Sequence, residues 1–236
     1  MSLRTKVVAS IVVAASAFLI APAAAQAATH PVQVSGAKLK SALLPASTFG
    51  SGFKFLGATS SGKSLWSPKA TKHVPSMSCA SFENQGLNRY GESAVANSVI
   101  LNNGSTNITS LSNLNLLYEQ TVYQFPSTKA AAAFYSQAHG KFAACKSFSE
   151  TVSGNPGGKL TFTLKSIAKT KVGTHQAFKI AQRVGGAGIP GVSLNFETLV
   201  TVAGADVFVV IDFTTANQPV PAKTMLKLVN RVRALR

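Results

Sequence analysis

Apolar and polar residues alternate with a period of two through most of the second half of the chain. In one stretch Leu160, Phe162 and Leu164 alternate with Thr161 and Thr163. This alternation is typical of antiparallel strands with one face on a core and the other in water. It predicts strands over 146–152, 160–167, 175–184, 192–202 and 205–215, and apolar runs in the first half of the chain predict others over 53–58, 93–101 and 114–125.

A helical period replaces the alternation after Pro126-Ser127, where Ser127 is a suitable N-cap. Apolar residues then recur at helical spacing as far as Cys145, as they also do after Pro219 and Pro221. The two stripes consist of Ala131, Phe134, Tyr135, Ala138 and Phe142, and of Met225, Leu228, Val229, Val232 and Leu235. Shorter helices are predicted over 39–44 and 78–88. This order of elements predicts an α+β fold, an antiparallel sheet with helices packed mainly on one face.

The first residues have the pattern of a signal peptide. Arg4 and Lys6 precede an apolar run over 7–20, and Ala25-Gln26-Ala27 supplies small residues for cleavage. The run is about 15 residues, whereas a membrane-spanning helix needs about 20. No later stretch is long and apolar enough to span. We therefore expect a signal peptide over 1–27, a flexible leader over 28–37, and one domain over 38–236 in a secreted protein.

Composition excludes a disordered chain, because 46% of the 236 residues are hydrophobic and only 13% are charged. Lys and Arg number 23 against 7 Asp and Glu, which gives a net charge of +16. Such a charge attracts polyanions. Outside the cytoplasm these would be anionic cell-wall polymers or lipid headgroups. Nucleic acid is not expected, since no run of five like charges occurs and the aromatic residues follow core patterns.

The best localised basic candidates lie on the last predicted helix, opposite its apolar stripe. They are Lys223, Lys227, Arg231 and Arg233. One interpretation is a binding surface for anionic envelope polymer. The alternative is that these side chains only keep the protein soluble.

No catalytic signature is present. The sequence contains no Gly-x-Ser-x-Gly elbow, no His-Glu-x-x-His motif and no P-loop. Glu119 and Asp212 fall within predicted strands, where a carboxylate is more often a satisfied sheet residue or a salt-bridge partner than a catalytic base. The four histidines show no ligand spacing to either cysteine. We therefore expect no enzyme activity, no metal and no cofactor.

The two cysteines, Cys79 and Cys145, both lie in the expected mature chain. An even pair in an oxidising compartment indicates a disulfide. Two buried thiols or a redox pair are the alternatives, although a redox pair usually has closer Cys-x-x-Cys spacing.

One distinctive segment runs from Glu119 through Phe125-Pro126-Ser127 into the following helix as far as Cys145, and Leu43-Leu44-Pro45 and Leu65-Trp66 lie upstream of it. Together these segments resemble the PknH-like extracellular domain family, the sensor domains of mycobacterial membrane Ser/Thr kinases. The resemblance implies an α+β domain with an antiparallel sheet, a ligand-binding groove and a Cys79–Cys145 disulfide. Residues 146–236 lack the second cysteine pair that many members carry, and the chain has no kinase domain.

These observations indicate a secreted, non-enzymatic ligand-binding or sensor-like protein of the bacterial cell envelope. Its expected partner is an unknown small-molecule or cell-wall ligand. The alternative is a basic envelope-associated protein that binds anionic cell-wall polymers or lipid headgroups.

Overall fold

A computed structural model describes residues 31–61, 78–79, 92–101, 116–152, 158–186, 193–214 and 220–236. The expected signal peptide lies outside the described residues. So does the helix predicted over 78–88, except for Ser78 and Cys79.

Among the described residues, eight strands form one fully antiparallel sheet. They are β1 (Lys54–Ser61), β2 (Ala94–Leu101), β3 (Leu116–Gln124), β4 (Ser147–Val152), β5 (Gly158–Val172), β6 (His175–Gly186), β7 (Leu194–Ala203) and β8 (Asp206–Thr214). Their order across the sheet is β1-β2-β3-β8-β7-β6-β5-β4. The last strand in sequence therefore lies at the centre, between β3 and β7. The predicted α+β class with an antiparallel sheet is confirmed.

Three α-helices accompany the sheet in the described part of the chain. They are α1 (Gly36–Ala42), α2 (Thr128–Ala144) and α3 (Ala222–Arg233). The Ser127 hydroxyl accepts a hydrogen bond from the Ala130 amide at 3.1 Å, so the predicted N-cap of α2 is confirmed. The apolar stripe of α3 is also buried as predicted, with Met225, Leu228, Val229 and Val232 all inaccessible to solvent.

The sheet has an apolar core on each face. Helix α2 covers one face and packs through Phe134 and Phe142. The other face is covered by α1 and α3, so two of the three described helices share it. Strand β8 contributes to both cores. Val207 and Val209 lie in the core under α2, whereas Phe208 lies in the core under α1 and α3, so successive residues of this strand are all apolar.

Strand β5 is longer than predicted. The register with β6 shifts between Leu164 and Ser166, which is a β-bulge. The strand predicted over 160–167 includes this bulge, whereas the observed strand continues to Val172. The residues that the prediction left out at this end, Ala168, Lys169, Thr170 and Lys171, are all exposed, so they show no alternation of apolar and polar positions.

The residues before β1 are tied to the sheet through two buried glutamines of β3. The Gln124 side chain bonds the amide and the carbonyl of Val34, each at 2.9 Å, and Gln120 does the same with Leu44 at 2.9 and 2.8 Å. Val34 belongs to the end of the expected leader over 28–37, yet it is buried. That end of the leader therefore contributes to the core beneath α1.

Candidate functional site

A cavity of about 300 Å³ opens at one end of the sheet, on the face covered by α1 and α3. Two tight turns form one side of it. The β5–β6 turn has Gly173 at φ 59°, and the β7–β8 turn has Gly204 at φ 62°, a backbone conformation that favours glycine. The end of α3 and the residues after it form the other side. We call this site the basic cavity; it is lined by His175, Ala203, Gly204, Arg233 and Arg236.

Arg236 is held in position by hydrogen bonds to two buried side chains. Its Nη2 donates to Asp206 Oδ1 at 2.7 Å and to Gln124 Oε1 at 3.0 Å. Register places Gln124 opposite Asp206 across β3 and β8, so both acceptors lie in one row of the sheet. Burial raises the pKa of the Asp206 carboxyl, and the Arg236 guanidinium opposes that rise. The pairing holds the Arg236 side chain in place and neutralises the Asp206 carboxylate.

Arg233 and His175 reach the basic cavity without such partners. Neither side chain has a hydrogen bond or ion pair with any other residue that the structure describes. Arg233 lies on the exposed side of α3, and His175 begins β6 and is half-buried. Their donor groups are therefore available to a ligand.

The four basic residues singled out in the sequence all lie on α3 and are exposed, but their surroundings differ. Lys223 and Lys227 are exposed near the start and middle of α3. Arg231 donates from Nε to the Ala42 carbonyl at 2.8 Å and from Nη2 to the Ser41 carbonyl at 3.1 Å, so it joins α3 to the end of α1. Of the four, Arg233 lines the basic cavity.

A second polar group lies towards the other end of the same face. Tyr118, Asp212 and Glu197 are neighbours across β3, β8 and β7, and we call them the carboxyl row. Glu197 Oε1 accepts from Lys179 Nζ at 3.0 Å and from the Val220 amide at 2.8 Å. Asp212 is fully buried, and neither of its carboxyl oxygens has a hydrogen-bond partner among the described residues.

The electrostatics of this row follow from burial and like charge. Burial, together with the charge of Glu197, raises the pKa of Asp212 to about 7. Burial and the two carboxylates raise the pKa of Tyr118 to about 12. The Tyr118 ring lies 4.8 Å from that of Phe49 and 5.5 Å from that of Phe53, centroid to centroid. Asp212 thus carries a proton over much of the acidic range, and Tyr118 remains a phenol at neutral pH.

The two carboxylates considered in the sequence differ in their surroundings. Glu119 was expected to be a satisfied sheet residue, and it accepts a hydrogen bond from Asn97, which also bonds Thr121. Asp212 was expected to be satisfied too, but the structure leaves its carboxyl unpaired. Asp212 lies between Tyr118 and Glu197 in the carboxyl row. Lys179, which pairs with Glu197, forms no ion pair with Asp212.

Cys79 and Cys145 form a disulfide, with their Cα atoms 5.7 Å apart. Cys145 is the buried C-cap of α2, where its amide donates to the Lys141 carbonyl at 3.0 Å. The bond therefore joins the end of α2 to the segment that precedes β2. The alternatives of two free thiols or an open redox pair do not apply to this structure.

Within the described ranges, no three His, Cys, Asp or Glu side chains come together in a way that could hold a metal ion. None of the described helices has both the length and the apolar character needed to cross a membrane.

Comparison with known proteins assigns the family. The sequence model of the family described as PknH-like extracellular domain matches residues 34–232, which is most of the chain. The chain belongs to the PknH-like extracellular domain family. The crystal structure of the extracellular domain of PknH from Mycobacterium tuberculosis is similar in fold, with a TM-score of 0.55 and 16% sequence identity over 86% of this chain and 97% of that one. No curated protein sequence matches this chain. The resemblance inferred from the sequence is confirmed, and the chain is a sensor-like extracellular domain.

Sequence reasoning missed most of the basic cavity. His175 and Arg236 drew no binding interpretation because neither belongs to a motif and they lie 61 residues apart in the sequence. One signal was present: two adjacent hairpins turn at Gly173 and Gly204, and alternate turns of a meander lie at the same end of a sheet. The position of the last helix above those turns could not be obtained from periodicity.

Proposed function

We propose that the mature protein is a secreted, non-enzymatic, sensor-like component of the bacterial cell envelope that binds a small ligand in the basic cavity. The observation that carries this proposal is the cavity itself. Its volume of about 300 Å³ lies at the lower end of the range for small-molecule sites. It also contains two polar side chains, Arg233 and His175, whose donors are not used within the described fold. A concave site with unused polar groups is what ligand recognition requires.

The non-enzymatic part of the proposal is supported by how four of the described carboxylates, all on strands β3, β7 and β8, are engaged. Asp206 is paired with Arg236, Glu197 with Lys179, and Glu119 with Asn97. A general acid or base must be able to reach a substrate proton. The Asp212 carboxyl is unpaired but fully buried, so it lacks that access.

A variant that blocks the cavity tests ligand binding. Native mass spectrometry would be applied to protein secreted by its own host, as wild type, Ala203→Leu and Ala133→Leu. Ala203 lines the cavity, whereas Ala133 is exposed on α2 and receives the same added volume. We expect a bound mass on wild type and Ala133→Leu, and its loss in Ala203→Leu. A bound mass retained by folded Ala203→Leu would contradict binding in this cavity.

The proposal that the protein is secreted rests on the signal-peptide pattern of residues 1–27. Cleavage near Ala27 would remove Arg4 and Lys6 and leave a net charge of 16 − 2 = +14. N-terminal sequencing of the protein in culture supernatant should begin between Gln26 and Thr29. Intact Met1 in a membrane fraction would contradict it.

The second candidate function is attachment to anionic envelope polymer through diffuse charge. The net charge of +16 favours it, as do the exposed Lys223 and Lys227. Binding of this kind should weaken steeply between low and moderate salt because exposed charges are screened. A pull-down with purified cell wall, comparing wild type with a variant neutralised at Lys223, Lys227, Arg231 and Arg233, tests it. Equal binding at low salt would end this hypothesis.

A further inference from the structure

The start of α3 is attached to the sheet through a side chain of β7. The Val220 amide, two residues before the helix begins, donates to Glu197 Oε1 at 2.8 Å. Pro221 is the N-cap of α3 and caps it with no side-chain hydrogen bond. Val220 itself is buried in the core under α1 and α3. We call the hydrogen bond between Glu197 and Val220 the α3 latch.

The charges at the latch balance only while Asp212 is neutral. Glu197 has one cation, Lys179, whose Nζ lies 3.0 Å from Glu197 Oε1. Asp212 lies opposite Glu197 on the neighbouring strand, is fully buried, and has no hydrogen bond to either carboxyl oxygen. A protonated Asp212 adds no charge to this group. An ionised Asp212 places a second carboxylate beside Glu197, and two carboxylates then share one ammonium.

The other side chains around Asp212 do not supply a second cation. From β3, Tyr118 faces Asp212, and burial raises the pKa of its phenol to about 12, so it stays neutral. Helix α2 lies on the opposite face of the sheet. The residues that α3 buries against this face are uncharged, and its nearest lysines are exposed; these are Thr224, Met225, Leu228, Lys223 and Lys227.

The direction of the pH response follows from burial. Burial, together with the charge of Glu197, raises the pKa of Asp212 to about 7. Below that pH the closed latch contains no uncompensated charge. Above it, a buried carboxylate without a partner is costly, and movement of the chain at Val220 away from the sheet would let water reach it. Rising pH therefore favours opening of the latch.

We propose that Asp212 is a pH-sensitive trigger for the α3 latch: when Asp212 is protonated the start of α3 stays on the sheet, and when Asp212 is ionised it detaches while the rest of the domain stays folded. The far end of α3 has its own attachment, because Arg231 donates to the Ala42 carbonyl at 2.8 Å. The inference is independent of ligand binding in the basic cavity. It gives a sensor-like domain a response to external pH near neutrality.

Amide hydrogen exchange, followed by NMR on the ¹⁵N-labelled mature protein, measures the latch directly. Val220 reports the latch, and Val210, on the central strand β8, reports global unfolding. Protection factors would be corrected for the intrinsic exchange rate at each pH. We expect Val220 to be less protected than Val210 at every pH. Its protection should fall about fivefold or more between pH 5.5 and pH 8, because opening releases the Asp212 proton.

Two variants assign the pH response to Asp212. Asp212→Asn cannot ionise, so the protection of Val220 should change less than about twofold over the same range. Glu119→Gln is the matched control, because burial also raises the pKa of Glu119 but its row neighbour on β8 is Ile211, in the core under α2. We expect Glu119→Gln to show the wild-type fall in Val220 protection.

Two results would overturn the inference. One is an equal fall in Val220 protection in wild type and Asp212→Asn. The other is exchange of Val220 at the rate of Val210 throughout, which would show that the latch opens only when the whole domain unfolds. If Asp212→Asn does not fold, Glu197→Gln replaces it, since glutamine keeps an oxygen for the Val220 amide but removes the like charge. The midpoint of the response should then move to lower pH, and an unmoved midpoint would also overturn the inference.

Discussion

The side-chain amide of Gln120 forms two hydrogen bonds with the backbone of Leu44, one to its amide at 2.9 Å and one to its carbonyl at 2.8 Å. Both residues are buried, and they are 76 positions apart in sequence. Gln120 thus replaces the partner that a neighbouring strand would supply, and it attaches the residues after α1 to the centre of β3.

Replacing Gln120 with leucine should therefore lower the stability of the protein. Gln120→Leu retains the size of the side chain but leaves a buried amide and a buried carbonyl of Leu44 unpaired. We expect a loss of about 2–4 kcal/mol in the free energy of unfolding, measured by urea denaturation, since each unsatisfied buried group costs about 1–3 kcal/mol. Gln176→Leu is the control because Gln176 is exposed on β6. Equal losses in the two variants would contradict the assigned role of Gln120.

Arg231 should matter for stability in a way that its neighbouring lysine does not. Arg231→Ala removes the hydrogen bonds to the carbonyls of Ala42 and Ser41, which are otherwise unpaired groups at the end of α1. We expect a loss of about 1–2 kcal/mol in urea denaturation. Lys227→Ala should change stability by less than about 0.5 kcal/mol, as exposed substitutions usually do. If the two variants unfold alike, Arg231 is only a surface charge.

The stability of the protein should depend on pH through Asp212. Its pKa is raised from 3.8 to about 7 in the folded state, so the folded protein binds an additional proton between these values. The free energy of unfolding should therefore fall as pH rises from about 4 to about 7 and level off above that. The total fall should be at most on the order of 4 kcal/mol. Urea denaturation at several pH values measures this slope.

Asp212→Asn provides the comparison for that measurement. Burial also raises the pKa of Asp206 and of Glu119, so a slope of the same sign should remain in the variant. The informative quantity is the difference between wild type and Asp212→Asn. That difference should shrink as pH is lowered, and a constant difference from pH 4 to pH 8 would show that Asp212 does not titrate in this range.

The Arg236–Asp206 pair provides a fourth test. Arg236→Gln leaves a fully buried carboxylate without its cation, which should cost about 3–5 kcal/mol near neutral pH. The double variant Asp206→Asn/Arg236→Gln carries no buried charge and should be more stable than Arg236→Gln. The difference in stability between the double variant and Arg236→Gln should become smaller at acidic pH, because Asp206 is protonated there in the single variant. Thermal unfolding at pH 4.5 and pH 7.5 measures both comparisons. A double variant no more stable than the single one would contradict the pairing.

The disulfide should contribute substantially to stability. Its cysteines are 66 residues apart, and loop-closure entropy for such a separation corresponds to about 4 kcal/mol. Intact mass without reductant should be two hydrogens below the dithiol form, and a proteolytic peptide should link Cys79 to Cys145. Cys79→Ala/Cys145→Ala should lower the free energy of unfolding by about 2–5 kcal/mol. Free thiols that react with an alkylating reagent in the native secreted protein would contradict the bond.

The sequence alone was sufficient for the elements with a regular local pattern. The stripe that begins after Ser127 predicted α2, and the stripe around Leu228 predicted α3, because a helix repeats its buried positions every three or four residues. Strand β5 was predicted too short because its residues 168–171 are all exposed and carry no alternating pattern. Pairing with β6, which periodicity does not report, extends the strand to Val172.

The sequence by itself determined the α+β order, the family, the basic charge and the two cysteines that pair. The order of elements and the charge follow from local periodicity and composition, the cysteine pair from there being only two cysteines, and the family from the resemblance of several segments. Only the tertiary structure decided which residues meet: Arg236 with Asp206, Arg231 with the carbonyl of Ala42, and Tyr118 with Asp212. These contacts depend on strand order and register, which place β8 at the sheet centre and α3 above its turns. Free energy gained by burying both faces of the sheet selects that arrangement, and the sum over many distant contacts leaves no local trace in the sequence.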